Sequence, residues 1–206
     1  VAKEIGRLLT AMVTPFDENG DIDFPQVRKL AISLVESGSE GLVVSGTTGE
    51  SPSLSIEEKL RLFSECKSAV GDTASIVAGT GTYSTRESIE LTKEATKLNV
   101  DAIMAVVPYY NKPPQDGLFQ HFSTIANSTH LPLIPYNVPS RTSLNMTSDT
   151  TIRLSKIDNI IGIKEASSDP DQIARVISGT DENFLVWSGN DNETFQIMCM
   201  GGYGVI

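Results

Sequence analysis

The chain is 206 residues long, 39% hydrophobic, 6% aromatic and 20% charged, which suits one domain with a sizeable core and excludes a disordered or low-complexity chain. Sixteen Lys and Arg against 26 Asp and Glu leave a formal charge of −10, a surface that repels phosphate backbones and argues against nucleic-acid binding. The longest apolar runs, such as 103–108, are far too short to span a bilayer, and no basic, apolar leader opens the chain, so the sequence reads as a cytoplasmic protein with no membrane contact. The start at Val1 rather than Met fits a cut or processed terminus.

Short apolar, β-branched runs alternate with longer amphipathic patterns. A strand at 8–13 leads to a helix over 27–36 that Gly38 stops. A strand at 41–45 precedes a helix over 56–70, whose start carries a capping box, Ser55 with Glu58. A strand at 75–78 is followed by a helix over 86–98 starting at Thr85, and a strand at 102–107 by a helix over 117–127. Next come a strand at 133–136 with a short helical stretch at 151–154, and a strand at 160–164 with a helix opened by Asp169-Pro170. Strands at 184–187 and 203–206 complete the series.

Most of these strands show little polar alternation, as parallel strands covered on both faces do. They begin roughly 20–35 residues apart, the spacing of repeated βα units. No Pro/Gly/Ser-rich linker interrupts them, so residues 1–206 are expected to form a single domain. An open doubly wound sheet carries a glycine fingerprint after its first strand, where this chain has Thr14-Pro15-Phe16. The pattern therefore predicts a (β/α)8 TIM barrel with eight strands and seven following helices. Such barrels typically take about 250 residues, and this chain ends at Ile206 inside the eighth strand. A barrel incomplete at its C-terminus, lacking the helical region beyond, is expected to expose strand edges, and the isolated chain to fold poorly or be inactive.

Cys66 and Cys199 cannot make a disulfide framework and are expected as buried free thiols on helices. The histidines, His121 and His130, fall outside any Cys/His or HExxH spacing and are expected on a helix face and in a loop. No metal is expected.

In a barrel enzyme the chemistry sits at the C-terminal ends of the strands. Those ends carry Gly46-Thr47-Thr48-Gly49, Gly79-Thr80-Gly81, Tyr109-Tyr110-Asn111, Tyr136 through Arg141, Lys164-Glu165 and Ser188-Gly189-Asn190. Lys164 closes the run Ile160-Ile161-Gly162-Ile163, and a lysine among apolar walls loses its proton more readily, freeing an amine that can attack a ketone. The plainer alternative is a lysine that snorkels from a strand end or pairs with Glu165. Tyr136 can relay protons if neighbouring hydroxyls hold its own, Thr47 and Tyr110 being the candidates. The Gly46–Gly49 turn leads toward a helix, so its amides can face a small carboxylate, and it lacks the ending of a Walker loop. Arg141 can clamp a second carboxylate, or simply form a surface ion pair. Glycines 79 and 81 also suit tight βα turns.

The motifs AMVTPF, GTTGESPSLS, VAGTGT, PYYNKP, QHF, YNVPSRT, IIGIKEAS, SGND and GGYGVI, in this order and along nearly the whole chain, resemble the pyruvate-dependent class I aldolases, the family of dihydrodipicolinate synthases and N-acetylneuraminate lyases. PYYNKP and YNVPSRT resemble the synthase branch, since the lyases lack an arginine matching Arg141. The resemblance implies that Lys164 forms a Schiff base with pyruvate and needs no other cofactor. The resulting enamine attacks L-aspartate 4-semialdehyde, and cyclisation gives 4-hydroxy-tetrahydrodipicolinate on the route to diaminopimelate and lysine. It further implies a proton relay of Tyr136, Thr47 and Tyr110, the last donated by an adjacent subunit of a homo-oligomer, a dimer or tetramer. Thr48 would hold the pyruvate carboxylate, Arg141 the semialdehyde carboxylate, and Gly189 and Ile206 would line the pocket.

Two further readings remain beside it: another pyruvate aldolase or lyase of the same family with a different aldehyde, and a truncated, inactive paralogue acting as a binding or assembly module. Pro135 stands where the family usually has an aliphatic residue and is expected to disturb the strand at Tyr136, because proline removes a ladder N–H. The family's inter-subunit effector site corresponds to Ser51, Lys59, Tyr83, Glu87 and Tyr109, with Ile56 close by. Lys59 there is expected to repel a cationic effector, leaving lysine inhibition weak or absent.

Overall fold

The computed structural model describes residues 5–206. Eight strands, β1 (Leu9–Ala11), β2 (Gly41–Val44), β3 (Ser75–Gly79), β4 (Ala102–Val106), β5 (Leu133–Asn137), β6 (Gly162–Glu165), β7 (Leu185–Ser188) and β8 (Gly204–Val205), form one parallel sheet in sequence order. The sheet closes on itself. Val205 pairs in parallel with Leu8, and its N–H donates to the Arg7 carbonyl at 2.8 Å. That rung corrects the expectation of an open edge: β8 is only two residues long, yet it is bonded to β7 on one side and to the segment before β1 on the other. Closure removes the edges that would otherwise invite pairing with another chain.

The helices α1 (Phe24–Glu36), α2 (Ile56–Val70), α3 (Thr85–Thr96), α4 (Gln115–Ala126), α5 (Pro139–Thr142), α6 (Ser148–Leu154), α7 (Pro170–Gly179) and α8 (Thr194–Cys199) make the seven crossovers, with α5 and α6 sharing the one after β5. Their starts follow local chemistry. Ser55 and Glu58 bond each other's backbone N–H as a full capping box, and Asp169 accepts from the Gln172 N–H with Pro170 behind it. At α3 the cap is Ser84 rather than Thr85, whose hydroxyl is instead engaged with His121 Nδ1 at 2.8 Å. His121 is buried, and burial lowers its pKa to about 4.

Two apolar layers hold the barrel. One, including Leu42, Phe63, Ile76, Ile103, Phe122 and Ile163, lies between strands and helices. The other, including Val43, Val77, Met104, Ile134, Tyr136 and Trp187, fills the interior. The interior is thus packed rather than a pore, and only its C-terminal mouth is open for chemistry. Cys66 is buried on the core-facing side of α2, and its thiol is pushed up to about 12 by that burial. Cys199 corrects its expectation: it is exposed, because α8 turns only Ile197 into the core.

The β5–β6 pair contains a feature the alternation of side chains does not announce. Leu133 is bridged to Ile160, but Tyr136 pairs with Lys164, so three steps along β5 match four along the β6 side. This is a one-residue bulge. Ile160 and Ile163 belong to the outer layer, whereas Ile161 packs on the interior one. Strict alternation from Ile161 would turn Lys164 outward; the extra residue turns it in. Gly162 makes room, since a Cβ there would fall 2.1 Å from the Leu185 carbonyl oxygen.

Pro135 is accommodated by the same device. Leu133 exchanges hydrogen bonds with the β6 side, and the Tyr136 carbonyl accepts from Val107 on the β4 side. The N–H that Pro135 lacks would therefore face β6 at the bulge, where the ladder is already interrupted. Contrary to expectation, Tyr136 sits in register with both Val106 and Lys164.

Candidate active site

The strand ends converge on a cavity of about 810 Å³ at the barrel mouth. Thr47, Thr48, Tyr136, Arg141, Lys164, Gly189 and Ile206 all line it. A smaller cavity of about 220 Å³ shares Thr47, Tyr136 and Arg141 and continues to Ser51 and Tyr109. Seven of the eight residues assigned to catalysis or substrate by resemblance are thereby brought together by one chain. The exception is Tyr110.

Lys164 is 5% exposed, and its Nζ stands 4.3 Å from the centroid of the Tyr136 ring. Among the described residues it has no ion-pair partner. Glu165, the alternative partner, points to the opposite face of β6, where it bonds Asn137 and the Ser167 N–H. Burial lowers the Lys164 pKa to about 8; Asp191 works against that shift, and Arg141 adds to it. The sequence reading did not single out Asp191, which lies in the SGND motif and lines the cavity. Gly189 has a steric task, because a Cβ there would sit 3.2 Å from two carbons of the Lys164 stem.

Burial raises the Tyr136 pKa, with Arg141 opposing, so the phenol keeps its proton near neutral pH. Its hydroxyl bonds neither Thr47 nor Tyr110 among the described residues. Tyr110 is 90% exposed and lines neither cavity, held away by a loop in which its backbone adopts the left-handed φ of 66°. The reading of Tyr110 as a neighbour of Tyr136 within one chain is therefore corrected.

Gly46 to Gly49 does not open a helix directly. A 3-10 turn at Ser51–Ser53 intervenes, and the start of α2 is satisfied by its own capping box. What the turn offers is free donors: the backbone N–H groups of Thr47 and Thr48 donate to no group among the described residues. Arg141 is presented by the single turn of α5, anchored where the Arg141 and Thr142 N–H groups both donate to the Val138 carbonyl. The sequence reads this segment only as a Pro-containing turn, because four residues are too few for a helical period.

The five residues assigned to an effector site do cluster. Tyr83 and Tyr109 meet edge to face with centroids 5.3 Å apart. Lys59 is 7% exposed and its pKa is lowered by burial, against the pull of Glu87. Ser51 accepts a hydrogen bond from Ser45 at the wall shared with Tyr109.

Among the described residues no group of three or more His, Cys, Asp or Glu side chains could hold a metal ion, and no helix is long and apolar enough to cross a membrane.

Residues 4–206 match the Dihydrodipicolinate synthetase family. A 4-hydroxy-tetrahydrodipicolinate synthase of Dehalococcoides mccartyi is 57% identical over 204 residues, 99% of this chain and 69% of that protein. The structure of a dihydrodipicolinate synthase from Cyanidioschyzon merolae with lysine bound superposes with a TM-score of 0.97 at 45% identity, covering 98% of this chain and 69% of that one. One from Acinetobacter baumannii complexed with pyruvate gives a TM-score of 0.95 at 42% identity, covering 98% and 70%. With the barrel, the lysine at the end of β6 and a family match spanning all of the described residues, the chain belongs to the dihydrodipicolinate synthetase family.

Proposed function

We propose that the protein condenses pyruvate with L-aspartate 4-semialdehyde through a Schiff base on Lys164. The observation that carries this reading is the Lys164 amine itself: buried, without an ion-pair partner among the described residues, and with a pKa lowered to about 8 at the mouth of a closed barrel. The neutral amine attacks the keto carbon of pyruvate, and loss of water leaves the imine. Removal of a methyl proton then gives the enamine, whose carbon attacks the aldehyde of the semialdehyde. The amino group of that substrate next displaces Lys164 from the imine carbon, closing the ring of 4-hydroxy-tetrahydrodipicolinate and restoring the free amine.

Each neighbour has a task in this scheme. The free N–H groups of Thr47 and Thr48, with the Thr48 hydroxyl, receive the pyruvate carboxylate. Tyr136 carries protons to and from the carbinolamine and the aldol oxygen, with Thr47 as the hydroxyl beside it in the cavity. Gly189 and Ile206 shape the wall around the Lys164 stem. Tyr110, exposed and outside both cavities, is assigned to the site of a second copy, so the working form is a homo-oligomer. A cytoplasmic location belongs to the same proposal and is supported by two unpaired cysteines, which suit a reducing compartment.

Arg141 separates this reaction from that of a related aldolase. Its planar fork at the cavity rim fits the carboxylate of the semialdehyde, a charge-assisted contact worth about 1.5–3 kcal/mol. Arg141→Ala is expected to raise the KM for the semialdehyde about 10- to 100-fold, while trapping of pyruvate on Lys164 stays within a few-fold of the parent. Steady-state kinetics with each substrate varied will test this. An unchanged semialdehyde KM, or a better turnover with another aldehyde, would favour the alternative aldolase.

The cluster of Ser51, Lys59, Tyr83, Glu87 and Tyr109 is proposed as a former or altered effector site. The buried Lys59 ammonium faces any cation entering it, so free lysine in the millimolar range is expected to leave the initial rate unchanged. Inhibition at sub-millimolar lysine would contradict this.

A further inference from the structure

The ladder between β5 and β6 is thin where the chemistry needs it. Above the bulge it has two rungs, Tyr136–Lys164 and Asn137–Glu165. If the β6 side slid by one residue to absorb its extra residue, alternation would turn Lys164 toward the helices and Glu165 into the barrel. Such a slip would also displace the four rungs that β6 makes with β7, and the side chains on the β5–β6 rungs add to what holds the register.

The outer face of this rung holds a polar network whose two strand members are fully enclosed. Glu165 and Asn137 are both 0% exposed. Glu165 Oε1 accepts from the Ser167 N–H at 2.8 Å and from Asn137 Nδ2 at 3.0 Å. Asn137 Nδ2 also reaches Asn145 Oδ1 at 2.9 Å, and Asn137 Oδ1 accepts from the Met146 N–H at 3.0 Å. Asn145 Nδ2 donates to Gln172 Oε1 at 2.8 Å, which ties in α7. The network thus joins β5, β6, the segment before α6, and α7. A slipped register would carry the Glu165 carboxyl toward the barrel mouth and leave the buried Asn137 amide without it, and stranding a buried polar group in this way is strongly unfavourable.

We propose that Asn137 and Glu165 are positioning residues that fix the register of β6 and so hold the Lys164 amine over the Tyr136 ring. The inference rests on the Schiff-base reading of Lys164. Neither side chain touches the cavity; both act through the backbone of the residue before them.

The test compares the parent chain, Glu165→Gln and Glu165→Leu by the rate at which borohydride traps pyruvate on Lys164 across a range of pH. Glu165→Leu is expected to trap about 10- to 100-fold more slowly per folded molecule, with the midpoint of its pH profile moved up from about 8 toward an ordinary lysine. Glu165→Gln, which still accepts from Ser167 and Asn137, is expected to stay within about threefold of the parent and keep its midpoint. A merely structural role would lower the folded fraction without moving the midpoint. Should Glu165→Leu fail to melt cooperatively, Asn137→Ser takes its place under the same criteria. Trapping in the parent with unchanged rate and midpoint in the variant would overturn the inference alone. No trapping in the parent would overturn the Schiff-base reading, and this inference with it.

Discussion

Lys164→Met is expected to abolish the condensation while making the protein more stable. Without the amine there is no imine and no enamine, and kcat should fall by about 10⁴-fold or more, roughly 5 kcal/mol of barrier. The gain in stability follows from linkage. The folded pKa of about 8 lies below the ordinary 10.5, so between those values the unfolded chain holds the extra proton and stability rises with pH. Below pH 8 both states are charged and the folded state carries the full desolvation cost, roughly 3 kcal/mol. Methionine fills a similar volume without a charge, so at pH 7 the melting temperature should rise by several degrees. Calorimetry of parent and variant checks this. A variant that melts at or below the parent would mean that the ammonium is better solvated than its 5% exposure indicates.

The second large effect is expected at Tyr136. Phenylalanine keeps the ring that packs beneath the Lys164 amine at 4.3 Å and removes only the proton carrier. Tyr136→Phe should therefore lower kcat by about 10²- to 10⁴-fold, with little change in melting temperature and a KM for pyruvate within a few-fold of the parent. Because burial raises the phenol's pKa, the parent should show no loss of activity from phenol ionisation near neutral pH. The rising limb of its pH profile belongs to Lys164, with a midpoint near 8. A Tyr136→Phe kcat within threefold of the parent would remove the phenol from the proton path.

Much of this was legible in the sequence for a specific physical reason. Parallel strands buried on both faces read as unbroken apolar runs, and capped helices announce their starts, as Ser55 with Glu58 and Asp169 with Pro170 do. Once the strands are placed, the rule that chemistry sits at their C-terminal ends selects Thr47, Tyr136, Arg141 and Lys164. What escaped depends on relations between strands rather than on composition. The bulge beside Gly162 changes which face Lys164 occupies, and it shows only when β6 is aligned with β5. Pro135 looked disruptive because its missing partner could not be identified from one strand. Barrel closure rests on Leu8 meeting Val205, nearly the whole chain apart. The exposure of Cys199 is not legible because a six-residue helix has too few positions to reveal which side faces the core. From the sequence Glu165 reads only as a partner for Lys164, since the network that holds it comes from four separate segments.

The most direct test of the account is to incubate the chain with pyruvate, reduce with borohydride, and map the product by mass spectrometry. A single reduced adduct on the peptide containing Lys164, absent from Lys164→Met, is the predicted result. An unmodified Lys164 in a cooperatively folded chain, or an adduct confined to another lysine, would contradict the claim that this barrel activates Lys164 as its nucleophile.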